Sequence, residues 1–333
     1  MTRLSLDVNV ELFPYVKPFR ISGHVFTDSS VVVVTLSDGQ NVGRGEGSGV
    51  YYTGDDVPHM QAAIEAARSR IEAGISREEL LDAMPAGGGR NAVDCALWEL
   101  EARQTGRPVW ELAGLPEPRR LVTTFTMGAD DPEVMAADAR SYPHARALKL
   151  KLTGDLDVDI ERVRAVRAAR PECWIGVDAN QGFSIGELDR LVAALVESDI
   201  KLLEQPLARG REGDLDDFES PVPLAADESV LTLADVPGLK GRFDTVNIKL
   251  DKCGGLTEGL AMARKAKELG LNVMVGNMMG SSLAMAPSFI LGQLCDVVDL
   301  DGPIFLAKDR APAIDYSDGY AWCDESIWGR VQS

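Results

Sequence analysis

Between Ala147 and Lys249 the sequence repeats one pattern five times, a short apolar run that ends in a charged residue. The runs are ALKLK (147–151), WIGVD (174–178), KLLE (201–204), VPLAAD (222–227) and TVNIK (245–249). Their final residues lie 27, 26, 23 and 22 positions apart, about the length of a strand followed by a crossover helix. Because the carboxyl ends of all strands of a (β/α)8 barrel meet at one face, the pattern predicts five charged side chains gathered there.

The same spacing continues on both sides of this region and yields eight candidate strands. They are Leu121–Met127, Ala147–Lys151, Trp174–Asp178, Lys201–Glu204, Val222–Asp227, Thr245–Lys249, Asn272–Val275 and Val297–Asp301. Their apolar runs are continuous, as expected for strands covered on both faces. Helical stretches separate most of them; the connection at 231–241 is shorter and less clear.

The first ~115 residues follow a different pattern, strands first and helices afterwards, which favours an α+β unit. Strands are predicted at Leu4–Phe13, Val31–Ser37 and Asn41–Glu46, and helices at Pro58–Ala73, Arg77–Met84 and Asn91–Arg103. We therefore predict an α/β fold, a modified TIM barrel (β/α)7β with an N-terminal α+β capping domain. The expected capping domain spans residues 1–118 and is completed by the C-terminal segment 308–333, and the expected catalytic barrel spans 119–307.

The composition of the chain indicates which kinds of binding partner and which cellular compartment to expect. The chain has 333 residues, 45% of them hydrophobic, and a formal net charge of −18. An acidic surface repels nucleic acid and anionic lipid, so we expect neither a nucleic acid nor a membrane as a partner. The five cysteines are scattered singly and the N-terminus lacks the apolar core of a signal peptide, which favours a reducing, cytoplasmic location.

Three carboxylates, Asp178, Glu204 and Asp227, end three consecutive predicted strands. Any one of them could cap a helix or pair with an arginine, but three anions aimed at one point repel each other unless a cation holds them. Oxygen ligands favour a hard cation, Mg²⁺ first and Mn²⁺ second. The three histidines lie far from these positions in the sequence, which disfavours a zinc site.

Lysines flank this predicted metal site. Lys149 and Lys151 lie two apart on one strand and therefore face the same way, and we expect each to lower the pKa of the other, so that one can act as a base. Lys249 ends the sixth strand, on the opposite side of the barrel from the second. Two lysines on opposite faces of one carbon suit removal of a proton from one face and its return to the other, which produces an epimer.

Asp299 and Asp301, in VVDLDGP, alternate to one face of the eighth strand, across the barrel from the metal. Two unpaired carboxylates there would attract a cationic group of the substrate; the alternative is a helix cap or an Asp-Gly turn. A molecule with a carboxylate at one end and an ammonium group about one residue away would bridge the barrel. A dipeptide fits that description.

With these residues in place, the chain resembles the enolase superfamily over essentially its whole length, and within it the muconate-lactonising subgroup. The resemblance rests on Lys149-Leu150-Lys151, Asp178-Ala179-Asn180, Glu204-Gln205-Pro206, Asp227-Glu228-Ser229, the run from Asn247 to Gly255, and RNAVDCALWELEA upstream. The segment 299–303 is similar to that of dipeptide epimerases, including Ala-Glu epimerases, in which such a pair of aspartates binds the substrate ammonium.

The resemblance implies one Mg²⁺ per subunit on Asp178, Glu204 and Asp227. It implies Lys151 and Lys249 as the two bases of a reaction through a metal-stabilised enediolate. It further implies that Lys149 assists at the substrate and that Thr124, at the end of the first strand, contacts it.

One departure concerns the first capping loop, PFRISGHVFTDSS. Ala-Glu epimerases often carry an arginine there for the glutamate side chain, and Gly23 occupies that place here, with Arg20 three residues earlier and His24 adjacent. Arg20 is the candidate replacement. In the second loop, GSGVYYTGDD, Tyr51 and Tyr52 are candidate specificity contacts. The preferred side chain of the substrate is therefore left open.

Four functions remain in contention. The leading hypothesis is a Mg²⁺-dependent dipeptide epimerase, an isomerase. An N-acylamino acid racemase would use the same lysines and metal but has no ammonium for Asp299 and Asp301. A lyase of the o-succinylbenzoate synthase or cycloisomerase type needs only one base. A non-catalytic binding protein would have no need to keep together five charged groups whose burial costs free energy. The number of subunits in any homo-oligomer is left open.

Overall fold

The N-terminal part of the chain is a three-stranded antiparallel sheet with helices on one side. The computed structural model describes residues 3–21 and 23–329. The sheet, in the order β1-β2-β3, consists of β1 (Ser5–Ile21), β2 (His24–Ser37) and β3 (Val42–Ser48). It is followed by α1 (Val57–Glu72), α2 (Arg77–Ala83), α3 (Gly88–Thr105) and α4 (Val109–Leu112).

The strands β1 and β2 are longer than predicted. Their pairing continues beyond a register shift between Pro14 and Phe19 and ends where Ile21 pairs with His24. Pro14 and Pro18 obscured this extension, because proline is disfavoured inside a sheet and tolerated mainly on an edge strand. β1 is such an edge strand. The extension carries its side chains out to the mouth of the barrel.

Alternate glycines in β3 allow α3 to pack directly on the sheet. A Cβ atom built on Gly43, Gly45 or Gly47 would lie 2.0 Å from a backbone carbonyl oxygen of α3, that of Ala96, Ala92 or Gly88. No side chain fits at such a distance, so the run VGRGEGS specifies this close helix–sheet contact.

The barrel contains eight parallel strands in sequence order. A two-residue strand, β4 (Leu121–Val122), precedes them and pairs with β13 (Tyr320–Ala321). The barrel strands are β5 (Thr124–Met127), β6 (Ala147–Lys151), β7 (Trp174–Asp178), β8 (Leu202–Glu204), β9 (Leu224–Ala226), β10 (Thr245–Ile248), β11 (Asn272–Val275) and β12 (Val297–Val298).

The predicted (β/α)7β barrel with an α+β capping domain is therefore confirmed, although several strands are shorter than predicted, among them the first, the fifth and the eighth. The first predicted strand is interrupted at Thr123, since Leu121 and Val122 pair with the C-terminal segment instead. The eighth is shorter than predicted. Hydrogen bonds involving side chains join it to the first: Leu300 N donates to Thr123 Oγ1 at 3.0 Å and Thr126 N donates to Asp301 Oδ2 at 2.6 Å.

The crossover helices pack around the barrel. They are α5 (Pro132–Ser141), α6 (Leu156–Ala169), α7 (Ile185–Glu197), the short α8 (Leu250–Cys253), α9 (Leu256–Glu268) and α10 (Ser282–Gly292). The indistinct connection between β9 and β10 contains only a 3-10 turn, Val236–Leu239. Within the described ranges, no helix combines the length and apolar character needed to cross a bilayer.

Buried hydrogen bonds hold the N-terminal part against the barrel face. Ser48 N and Asn91 Nδ2 each donate to Asp251 Oδ1 at 2.8 Å. At the other end of the chain, Trp328 Nε1 donates to the carbonyl oxygen of Arg44 at 2.9 Å. The two bonds to Asp251 hold the end of β3 and α3 against the barrel, whereas the Trp328 bond ties the C-terminal segment to β3.

Candidate active site

Three carboxylates converge at the carboxyl ends of neighbouring barrel strands. Asp178 ends β7, Glu204 ends β8 and Asp227 directly follows β9, and all three are buried. Each offers an oxygen atom within 4.8 Å of the others. The parallel register produces this convergence, because Asp178 pairs directly with Glu204 across the two strands.

The donor set fits a divalent hard cation. Glu204 Oε2 is fully buried and, among the described residues, has no hydrogen-bond partner, while Asn247 Nδ2 donates to its other oxygen at 2.6 Å. Burial and then the charge of Asp178 raise the pKa of Glu204 to about 8. An Mg²⁺ ion would satisfy three buried carboxylates that repel one another and the Glu204 oxygen atom that accepts no hydrogen bond.

The lysines lie on opposite sides of this triad. Lys151, at the end of β6, is within 2.5 Å of Asp178 Oδ2, and Lys249, directly after β10, is within 2.6 Å of Asp227 Oδ2. Both are buried. Since β6 and β10 are four strands apart in an eight-stranded barrel, the two amino groups approach the space above the triad from opposite walls.

A further lysine, Lys252 in α8, was not singled out from the sequence. Its Nζ lies 2.5 Å from Asp227 Oδ1 and 3.0 Å from the carbonyl oxygen of Asn247. Burial opposes ionisation of Asp227, but Lys249 and Lys252 together hold the pKa of that carboxyl far below its usual range. Lys252 lies about one helical turn after Lys249, and this spacing could have indicated that both lysines reach the same site.

The expectation that the pKa of Lys149 would be lowered was wrong. Burial by itself would lower the pKa of Lys149, but Asp299, Glu204 and Asp178 raise it above the ordinary lysine value. Lys149 Nζ forms an ion pair with Asp299 Oδ2 and lies 3.5 Å from Glu204 Oε2. The surrounding carboxylates outweigh the charge of Lys249; the pKa of Lys249 is raised in the same way, with burial opposing the charge and Asp227 and Glu204 favouring it.

The two aspartates after β12 differ in their surroundings. Asp299 is not unpaired as predicted, since it binds Lys149 and accepts a hydrogen bond from Thr124 Oγ1 at 2.6 Å. Asp301 accepts one from Thr126 N, and burial followed by the charge of Asp299 raises its pKa to about 7. Thr124 thus orients Asp299, whereas Thr126, which the sequence did not indicate, lines the cavity.

A cavity of about 610 Å³ lies over the triad, between the barrel and the N-terminal loops. From the barrel it is lined by Lys149, Lys151, Asp227, Lys249, Asp299 and Asp301, among others. Its other walls come from β1, β2 and the loop after β3, where Tyr51 and Tyr52 lie. The Tyr52 hydroxyl group is buried and, in the described chain, unbonded.

Arg20 lies outside this cavity. Its side chain is 52% exposed and faces Asp130 at 3.8 Å. The sequence also missed the aromatic residues of β1 that do line the cavity, Tyr15 and Phe19. They come from the hidden extension of β1, and no local motif marks them as site residues.

The comparisons with known proteins agree with this geometry. Residues 6–114 match the N-terminal domain of the mandelate racemase / muconate lactonizing enzyme family, and residues 134–304 match the enolase C-terminal domain-like family. The chain belongs to this branch of the enolase superfamily. The resemblance drawn from the sequence is confirmed.

Two named relatives within the superfamily differ in their reaction. The L-Ala-D/L-Glu epimerase of Escherichia coli (strain K12) is 37% identical over 315 residues, which cover 95% of this chain and 98% of that protein. The N-acetyl-D-glutamate racemase of a Pseudoalteromonas species is 41% identical over 252 residues, covering 75% and 79%. Both names describe isomerases that act on amino acid derivatives.

Two solved superfamily structures contain ligands. A member from Agrobacterium tumefaciens, with homology to dipeptide epimerases and with bound sodium and L-Ala-L-Glu, superposes with a TM-score of 0.94 at 41% identity, covering 98% of this chain and 100% of that one. The dipeptide epimerase from Methylococcus capsulatus, complexed with Mg and L-Arg-D-Lys, has a TM-score of 0.90 at 30% identity, covering 96% and 97%.

Proposed function

We propose that this protein is a Mg²⁺-dependent dipeptide epimerase that inverts the α-carbon of the C-terminal residue. The observation that carries the proposal is the position of Lys151 and Lys249 on opposite walls above the carboxylate triad. Two proton-transferring groups on opposite faces of one carbon are the minimum requirement for inversion by proton transfer.

The reaction balances with these groups alone. The neutral amine of Lys151 takes the α-proton, the C–H electron pair moves into the substrate carboxylate, and the ammonium group of Lys249 donates a proton to the opposite face. The reverse direction exchanges the two roles. Asp178, Glu204 and Asp227 would hold a divalent cation, whose positive charge would stabilise the negative charge that develops on the substrate carboxylate.

The far side of the cavity is suited to the ammonium group of a dipeptide. Asp301 contributes a carboxylate that lines the cavity and has its backbone partner in Thr126. Lys149 neutralises Asp299 and holds it in place, so the pair presents about one negative charge rather than two. One negative charge matches one substrate ammonium.

The second candidate is an N-acylamino acid racemase, favoured by the similarity to the N-acetyl-D-glutamate racemase. It would use the same lysines and triad. An acyl group carries no positive charge, however, and would give the Asp301 carboxylate no counter-charge, so that Asp301 would have to stay protonated at its raised pKa. We therefore rank the dipeptide reaction first.

The proposal is tested by proton NMR in D₂O with Mg²⁺ and L-Ala-L-Leu. The α-proton signal of the C-terminal residue is expected to disappear while the second epimer forms. Exchange of N-acetyl amino acids alone would contradict the dipeptide assignment and support the racemase.

The lysine roles are tested by Lys151→Ala and Lys249→Ala. Each is expected to slow epimerisation by about 100- to 10,000-fold, because one face of the carbon loses its acid or base. Each variant keeps one of the two proposed bases, so deuterium exchange without inversion is expected to persist for one epimer only, and for opposite epimers in the two variants. Lys265→Ala, at an exposed position on α9, is the matched control. A variant that still inverted both epimers at the normal rate would disprove the two-base scheme.

We further propose the boundaries of two domains and a cellular location. Residues 1–118 with 308–333 would form the capping unit and 119–307 the catalytic barrel, which the bond from Trp328 to Arg44 supports. The five cysteines are all free thiols and the net charge is −18, which support a cytoplasmic protein that acts on small molecules. A disulfide found by mass mapping of the native protein would contradict this location.

A further inference from the structure

The walls of the cavity opposite the triad are aromatic and apolar. Tyr51 and Phe26 have ring centroids 5.5 Å apart, and Phe19 lies 5.0 Å from Phe305, each pair edge to face. Together with Ile21, Tyr15 and Met279 they form one hydrophobic cluster. Except for Phe305, all members of this cluster line the cavity. The cluster forms a surface suited to an apolar side chain.

The positive charges in the cavity are already matched by carboxylates. Among the described residues that line it, the cations are Lys149, Lys151 and Lys249. They lie against Asp299, Asp178 and Asp227, respectively. The wall formed by the hydrophobic cluster is called the distal wall. None of these lysines lies there, because all three come from the ends of barrel strands.

The rim of the distal cavity is acidic. Asp28, Asp55 and Asp56 all line it. Asp55 is buried and its oxygens bind Gly88 N and His59 Nδ1, both at 2.8 Å. Asp56 accepts the backbone hydrogen bond that caps α1. The charges of Asp55 and Asp56 are thus partly met by His59 and by the N-termini of α3 and α1, whereas Asp28 is exposed. A substrate carboxylate placed here would meet an apolar wall, on which the His24 ring packs against Tyr51, and no lysine or arginine among the described residues of that wall.

The proposed reaction determines which part of the substrate meets this wall. The substrate carboxylate points to the triad, the α-hydrogen to a lysine, and the nitrogen towards Asp301. The remaining substituent of the α-carbon, the side chain of the C-terminal residue, therefore extends away from the barrel towards the hydrophobic cluster.

We infer that the protein takes dipeptides with an uncharged, apolar or aromatic C-terminal side chain, and disfavours glutamate. This inference rests on the proposed function. It departs from the two named relatives described above, whose names both contain glutamate. The physical reason is the lining of the cavity: a glutamate side chain would have to be desolvated against Phe26 and Tyr51, where no lysine or arginine of the described lining residues could pair with it.

The test compares L-Ala-L-Leu, L-Ala-L-Phe, L-Ala-L-Glu and L-Ala-L-Lys in the Mg²⁺-loaded enzyme, by α-proton exchange in D₂O. We expect kcat/KM for the leucine and phenylalanine dipeptides to exceed that for the glutamate dipeptide by at least about tenfold. An equal or faster glutamate dipeptide would overturn the inference and leave the proposed function intact. A preference for the lysine dipeptide would also overturn it, since the acidic rim would then dominate. Absence of exchange with every dipeptide would overturn the proposed function and the inference together.

A gain-of-function variant tests whether the lack of a positive charge at the cavity wall is the cause of the preference against glutamate. Phe26 is half-buried at the cavity wall, so Phe26→Arg places a guanidinium group beside the distal side chain. The ratio of kcat/KM for the glutamate dipeptide over the leucine dipeptide is expected to rise by at least about tenfold. Phe26→Leu, the neutral control, is expected to keep the wild-type preference. If both variants shifted the ratio equally, the charge argument would be wrong.

Discussion

At the scale of single residues, the carboxylates at the site are held by hydrogen bonds or ion pairs from side chains of other strands or helices. Asn247 on β10 holds Glu204, Thr124 on β5 holds Asp299, and Lys252 in α8 holds Asp227. Such contacts fix the direction of each charge before the substrate arrives, which is how an active site avoids reorganisation during the reaction.

A buried carboxylate away from the site makes the stability depend on pH. Asp94 on α3 accepts hydrogen bonds from Thr257 N at 3.0 Å and Thr257 Oγ1 at 2.5 Å, and burial raises its pKa to about 6 from 3.8. The unfolded chain loses this proton first as the pH rises. The contribution of Asp94 to stability is therefore greatest below pH ~4, decreases by roughly 3 kcal/mol through the interval up to pH ~6, and stays constant above it.

We predict that Asp94→Asn makes the free energy of unfolding less dependent on pH between 4 and 6, measured by urea denaturation at several pH values. Asp82→Asn, at an exposed position on α2, serves as the control and is expected to leave the profile unchanged. An Asp94→Asn profile parallel to the wild type would contradict the assignment of this carboxyl group.

At the scale of elements, the contact between β3 and α3 determines where the second capping loop lies. The loop that carries Tyr51 starts directly after β3, so its height above the barrel depends on how closely α3 approaches the sheet. The glycines of β3 set that distance, since even one methyl group would meet a backbone carbonyl oxygen of the helix.

We predict that Gly45→Ala destabilises the protein by about 1–3 kcal/mol or more, because the new Cβ must move α3. The measurement is the urea midpoint together with the m value. Gly186→Ala in α7 is the matched control: nothing lies within 4 Å of its added Cβ, and alanine favours a helix, so a stability equal to or above wild type is expected. Equal effects of the two changes would contradict the packing argument.

At the scale of the whole molecule, the site exists only where the two parts of the chain meet. The barrel supplies every group that is proposed to move a proton or to hold the cation, and the N-terminal hairpin supplies Phe19 and Phe26 at the opposite wall. The proposed reaction and the proposed choice of substrate therefore depend on different parts of the chain, which is common where loops surround a rigid barrel.

We predict that Mg²⁺ stabilises the whole fold, because it binds the folded triad and not the unfolded chain. At a free concentration of 100 times Kd the gain is about 2.7 kcal/mol, measured as a rise in Tm that EDTA reverses. Glu204→Gln is expected to lose most of this rise, whereas Glu268→Gln, at an exposed position at the end of α9, should retain it. A rise that survives in Glu204→Gln would place the cation elsewhere.

The amino-acid sequence by itself determined the barrel, its strand ends and the convergence of Asp178, Glu204, Asp227, Lys151 and Lys249. This was predictable because parallel strands place their carboxyl ends at one face whatever the intervening helices contain. Only the tertiary structure decided the pairing of Lys149 with Asp299, the exclusion of Arg20 from the cavity and the aromatic distal wall. These depend on contacts between residues more than a hundred positions apart and on a hairpin hidden by prolines, for which a linear pattern carries no signal.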